Sequence, residues 1–195
     1  PYLTSTFKTV SATAYFYATE NTTEPVGGVQ QFGNTTFIQL ETVYKPLSTE
    51  IYDPETLDQY GAALTGGTFY TGVIVDNPTK FGAEMAGKTV ILGKLPVSGS
   101  IHSDIVQTAG TTYPKYDGGK NYHEFVVFDR NETNDVTKNR VLRNHYYEFE
   151  VTKINSLGSH TSEVPPVKPV PTKSTVEVQV TVKPWDKVTG QVEVG

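Results

Sequence analysis

Alternation of apolar and polar positions is cleanest near the end of the chain. Across Thr175–Lys183, Val176, Val178, Val180 and Val182 fall on one side and Glu177, Gln179, Thr181 and Lys183 on the other. This period of two is that of a half-buried β-strand. The same reading places strands at Phe7–Tyr17, Thr35–Tyr44, Thr68–Val75, Thr89–Leu92, Ile101–Val106, Thr111–Tyr116, His123–Phe128 and Asn144–Ile154. Glycine pairs at Gly27-Gly28 and Gly118-Gly119 mark a loop and a turn between them. Two short helical turns are expected. One runs from Asp53 to about Tyr60, with Asp53 as N-cap and Pro54 at the first helical position. The other follows Asn77-Pro78 and is broken near Gly82 or Gly87. Closely spaced strands with so little helix favour an all-β, Ig-like Greek-key β-sandwich over a βαβ sheet.

Between the last two long strands, Pro165, Pro166, Pro169 and Pro171 crowd one short stretch. Such a run cannot pair inside a sheet and prefers an extended polyproline conformation. It reads as a linker or an edge-running connection. The expected organisation is a β-sandwich over 1–163, a Pro-rich connector over 164–173 and a C-terminal strand region over 174–195.

Composition agrees with this pattern. The chain of 195 residues holds 28 Thr and 24 Val, β-branched types that favour pleated surfaces over helices. A net charge of −5 with scattered Lys and only three Arg (Arg130, Arg140, Arg143) supplies no basic face for nucleic acid. No apolar run is long enough to span a bilayer as a helix. The absence of cysteine removes disulfides, thiolate catalysis and Cys-ligated metals.

Candidate chemistry is thin. Gly82–Thr89 fits the G-x-x-x-x-G-K-[ST] phosphate-loop pattern literally, yet Thr89 opens the β-branched run Val90-Ile91-Leu92 where the motif needs a helix. A turn entering a strand is the better reading. Asp129, Asn131 and Asp135 have the flavour of a calcium loop, but Asn134 and Arg140 stand where an EF-hand needs Gly and Glu. His102, His123, His145 and His160 lie far apart without metal-ligand spacing, and no G-x-S-x-G nucleophile elbow is present. Sequons at Asn21, Asn34 and Asn131 are about as many as chance supplies. Catalytic, metal and cofactor assignments are therefore none, and an enzyme is not expected.

The tail carries the strongest functional signal. A terminal alternating strand either closes its own sheet or completes a neighbour's, gaining ladder hydrogen bonds and burying its valines there. Burial of four or five valines is worth roughly 6–10 kcal/mol before ordering costs.

Arg143-Asn144-His145-Tyr146-Tyr147, running into Phe149–Ile154 and then Leu157-Gly158, resembles the penultimate region of the Bacteroidales fimbrillins. Val176–Trp185, followed by Val188, Val192 and Val194, resembles that family's valine-alternating C-terminal tail. The resemblance implies a type V pilus subunit with transthyretin-like β-sandwich domains, exported as an outer-membrane lipoprotein precursor. It further implies that an arginine-specific protease removes an N-terminal strand and that an adjoining subunit's C-terminal strand fills the groove left open. On that reading the sequence is the C-terminal domain of a fimbrillin, and its N-terminal domain and maturation site lie outside it. Val176, Val178, Val180 and Val182 would face the groove with Trp185 as anchor and Val188, Val192 and Val194 beyond. The prolines would keep the tail from folding back. Partners would be neighbouring copies or related subunits at the cell surface, together with host or bacterial surface ligands.

The rival reading is a surface glycan- or host-protein-binding module. Tyr rings with polar tips suit carbohydrate faces, and Tyr113, Tyr116, Tyr122 and the 129–139 loop would make the contacts.

Overall fold

A computed structural model describes residues 21, 25, 27–95, 101–107, 112–128, 141–142, 145–171 and 174–184. The expected strand at Phe7–Tyr17, the 129–139 loop, Arg143, Asn144, Trp185, Val188, Val192 and Val194 lie outside them.

Among the described residues nine strands carry the fold: β1 Phe37–Val43, β2 Ile51–Tyr52, β3 Phe69–Ile74, β4 Thr89–Leu92, β5 Ile105–Val106, β6 Lys115–Tyr116, β7 Lys120–Val126, β8 His145–Ile154 and β9 Val176–Pro184. The only helical segments among the described residues are single 3-10 turns at Phe32–Asn34, Ser48–Glu50, Thr65–Gly67, Ala83–Met85 and Asp117–Gly119. The chain is all-β, consistent with the expected sandwich class. These described strands form three sheets: β2-β4-β3-β5 with β6 also on β3, the pair β1-β7, and the pair β8-β9. Only β2 and β4 run parallel among the registered pairs.

The chain divides into two compact units. The first takes Leu40–His123 and Ser156–Ser162; the second takes the described residues 21–39, 124–155 and those from 163 onward.

In the first unit, β3 buries Phe69, Thr71 and Ile74. Ile74 joins Leu57, Val90, Leu92 and Ile105 in one apolar cluster, and Phe69 joins Tyr44 and Tyr116 in another. Phe69 stacks on Tyr116 at 4.8 Å and meets Tyr44 edge-on at 5.9 Å. Gly72 lets β5 approach β3 closely, since a Cβ there would sit 2.4 Å from a methyl of Ile105.

The expected helix at Asp53–Tyr60 is not formed. Asp53 does cap the segment, its Oδ1 accepting the Glu55 N–H at 2.9 Å, but as a side-chain turn. The Leu57 N–H then reaches the Asp53 carbonyl, and Leu57 adopts a left-handed φ of 59°. Burial of the Leu57 side chain in the first cluster holds this uncommon backbone. The second expected turn falls at Ala83–Met85, within the phosphate-loop-like Gly82–Thr89, which leads straight into β4.

Candidate functional site

Strand β9 lies antiparallel along β8 of its own chain, from Ile154↔Val176 through Phe149↔Val180 to His145↔Pro184. Over 176–184 the tail therefore folds back instead of standing apart. Alternation on β9 is matched across the ladder: Val182, Val180 and Val178 oppose Tyr147, Phe149 and Val151, while Thr181 and Gln179 oppose Glu148 and Glu150. Apolar cross-strand pairs of this kind are the unit of sheet stabilisation. Val176 and Val180 are buried, Val178 and Val182 half-buried. Phe149 continues the apolar side to Phe125 of β7, ring centroids 5.7 Å apart.

A register shift lies between Val151 and Lys153. Thr152 is the extra residue of the resulting bulge, so Ile154 and not Lys153 comes opposite Val176. The bulge keeps the apolar side continuous where the sequence of β8 slips out of phase. Thr152 Oγ1 donates to the Glu177 carbonyl at 3.2 Å, and Lys153 pairs with Glu177 at 3.8 Å on the exposed side. At the far end, Tyr147 Oη accepts the Leu142 N–H at 3.0 Å. The Asn155 N–H donates to the Thr175 carbonyl at 2.8 Å, closing the root of the pair.

The Pro-rich stretch pairs with residues 30–33, outside the sheets. Phe32 N–H donates to the Lys168 carbonyl at 3.0 Å, Gly33 N–H to the Pro166 carbonyl at 2.8 Å, and Val170 N–H to the Gln30 carbonyl at 2.9 Å. Gln31 and Pro169 form an antiparallel bridge. Prolines suit this role because their carbonyls accept while their missing N–H groups demand nothing. The close approach needs a glycine: a Cβ on Gly33 would lie 2.8 Å from the Pro166 carbonyl oxygen. The Lys168 ammonium lies 5.3 Å from the centre of the buried Phe32 ring and 3.6 Å from Glu124. Phe32 in turn meets Phe37 edge-on at 4.9 Å.

The Leu157-Gly158 motif lies in the first unit. Gly158 N–H donates to Asn121 Oδ1 at 3.2 Å, and its carbonyl accepts from the Tyr116 hydroxyl at 3.0 Å. Tyr122 and Ser159 exchange two backbone hydrogen bonds beside it. A Cβ at Gly158 would fall 2.1 Å from the Tyr122 carbonyl oxygen, so the motif glycine is a matter of space. Asn121 and His123 are both buried on β7; Asn121 Nδ2 donates to the Thr42 and Gly119 carbonyls, and the His123 ring lies 3.2 Å from Thr42 Oγ1. Sequence reading missed this network and the docking of 165–170, because their partners are distant in the chain.

The other candidates fall apart in space. His102 stands beside Asp104, His145 beside Tyr147 and His160 beside Tyr116. No group of three His, Cys, Asp or Glu converges among the described residues. Asp104 is a turn organiser. Burial opposes its charge most, but the Thr79 hydroxyl, the Lys80 and Thr79 amides and His102 outweigh that and hold the carboxyl below its ordinary range. Of the tyrosines proposed as glycan contacts, Tyr116 is buried in the cluster with Phe69 and Tyr44, and Tyr113 packs against the cluster of Leu57, Ile74, Val90, Leu92 and Ile105; burial raises the pKa of both. Tyr122 is half-buried.

Residues 114–191 match the family model described as major fimbrial subunit protein type IV, fimbrillin, C-terminal. The match takes in β6 to β9 and includes the stretches whose motifs carry the resemblance, so this part of the chain is similar to a fimbrillin C-terminal domain. Comparison with curated proteins gave no match.

Proposed function

We propose, with the fimbrillin C-terminal match over 114–191 as premise, that the chain is a structural subunit of a cell-surface fimbria that polymerises by strand exchange through 174–195. The match itself supports the fimbrial-subunit role and assembly with other subunits. The observation that favours β9 as the exchanging element is its uniform valine side. Val176, Val178, Val180 and Val182 sit on one long terminal strand whose registered partner is a single strand.

The energetics fit an exchange. Two buried valines contribute about 1.5–2 kcal/mol each, and each ladder hydrogen bond about 0.5–1.5 kcal/mol. These are lost when β9 leaves β8, so the tail moves only to an acceptor that returns as much. Another subunit's groove, lined by apolar side chains and an open ladder, is such an acceptor. In this reading Trp185 is the anchor, Val188, Val192 and Val194 lie beyond it, and Pro165, Pro166, Pro169 and Pro171 form the connector at the root.

Export as an outer-membrane lipoprotein precursor and support of adhesion belong to the same proposal. Host or bacterial surface ligands would be met by the assembled fibre. The glycan-module reading loses support from the burial of Tyr116, which is spent on Phe69 and Gly158.

Deletion of Ser174–Gly195 from the full-length subunit tests the proposal. The expected product is a soluble monomer that forms no fibres by electron microscopy. Fibres of normal length and number would overturn it.

A further inference from the structure

Ile154, the last residue of β8, and Val176, the first of β9, are separated by a long connection whose ends are paired. Left free, closing such a loop carries an entropic cost that grows as the logarithm of its length. In this chain the connection is fastened midway, by three backbone hydrogen bonds between 30–33 and 166–170, by the Lys168–Glu124 ion pair and by the Lys168 contact with Phe32. Only 171–175 then remains between the fastened segment and β9.

We propose that Pro165–Val170 is an internal clasp that holds β9 on its own β8, and that its opening is the step that frees the tail for a neighbouring copy. The second clause rests on the strand-exchange reading; the first does not. Beyond the Gly158–Ser159 contacts the connection to β9 spans about 16 residues, and the clasp cuts it to about 5, which favours β9 pairing with its own β8 roughly sixfold, from the three-halves power of loop length. The clasp is built for this. Its base is the buried Phe32, packed on Phe37. Glu124, only 10% exposed, receives the Lys168 ammonium on one side and the Gln39 amide at 3.1 Å on the other. Gly33 leaves the gap into which Pro166 fits.

Hydrogen exchange on the intact chain, read by mass spectrometry, tests the clasp. Gly33→Val drives a side chain against the Pro166 backbone and opens it. The Phe32 and Val170 amides then exchange faster, and the peptide 176–184 speeds up roughly sixfold while 69–74, in the first unit, keeps its rate. Adding Gln31→Cys with Pro169→Cys to that variant supplies the only thiols, at positions that face each other across an antiparallel bridge. Oxidation returns 176–184 to within twofold of the unsubstituted chain. Should Gly33→Val not fold, Lys168→Ala removes only the ion pair and ring contact and shifts 176–184 in the same direction by a smaller factor. The clasp is refuted if 30–33 and 170 exchange faster in either variant while 176–184 stays within twofold of the unsubstituted chain. Assembly separates the two clauses. If 176–184 responds as expected but the opened variant forms no more oligomer by light scattering than the oxidised one, the clasp stands and strand exchange falls.

Discussion

The two compact units are held together in different ways. The first is fastened by side chains converging from several strands: Leu57, Ile74, Val90, Leu92 and Ile105 in one cluster, Tyr44, Phe69 and Tyr116 in another. In the second, the described contacts are chiefly lateral, the β8–β9 ladder and the pairing of 30–33 with 166–170, each backed by a few buried residues such as Phe32, Phe125, Val176 and Val180. A cluster fed by many strands gives way as a whole, whereas a ladder can be opened and remade strand by strand. The second arrangement is the one that suits a part that has to change partners.

The contrast makes ordered predictions. Phe69→Ala strikes the first unit at a fully buried ring between two aromatic neighbours and should cost about 3–5 kcal/mol in denaturant unfolding. Val180→Ala, at a buried pair position midway along β9, should cost about 1.5–2 kcal/mol, set by the two methyl groups removed. An equal or larger loss for Val180→Ala would erase the distinction between core and ladder.

Acid should act on the first unit in a graded way. There Lys120 lowers the pKa of Glu41, Lys80 that of Asp58, and Thr68 with Lys115 that of Asp117. Burial opposes the charge of Asp53 and Asp104 but is outweighed, by the Glu55 amide and Lys94 in one case and by Thr79 and Lys80 in the other. A carboxyl held low in the folded state stabilises it above the unfolded pKa near 4 and ceases to as pH falls through the folded value. Exchange of 69–74 should therefore quicken as pH drops below about 4, after correction for intrinsic rates; a flat profile down to pH 2 would refute these ion pairs as stabilising. Smallest of all, Lys153→Ala breaks only an exposed pair with Glu177 and should change stability by less than about 0.5 kcal/mol.

Strands with β-branched alternation were legible in the sequence. Thr35–Tyr44, Thr68–Val75, Thr89–Leu92, Asn144–Ile154 and Thr175–Lys183 each match an observed strand to within a residue or two at either end. Where the reading went astray, a distant contact outvoted a local signal. Asp53-Pro54 looks like a helix start, but the burial of Leu57 turns the chain the other way. The segments at 101–106 and 111–116 shrink to two-residue strands because each meets β3 over two residues only. The valine side of β9 was legible because a single strand carries the whole pattern. The fastening of its root was not, since Gly33 and Pro166 belong together for reasons of shape that neither stretch displays alone.

The even spacing of the tail valines has one more consequence. Four identical side chains at equal intervals form a ruler whose marks cannot be told apart: a slip of two residues, about 6.8 Å along the strand, puts a valine where a valine was. Nothing on that side of β9 says which mark belongs opposite Phe149. The answer comes from the root, where the Asn155–Thr175 hydrogen bond fixes the origin. The distance the tail reaches is thus set by the length of chain between its fastening and its first valine, so inserting or removing residues at 171–175 would rescale that reach while leaving every valine contact chemically the same.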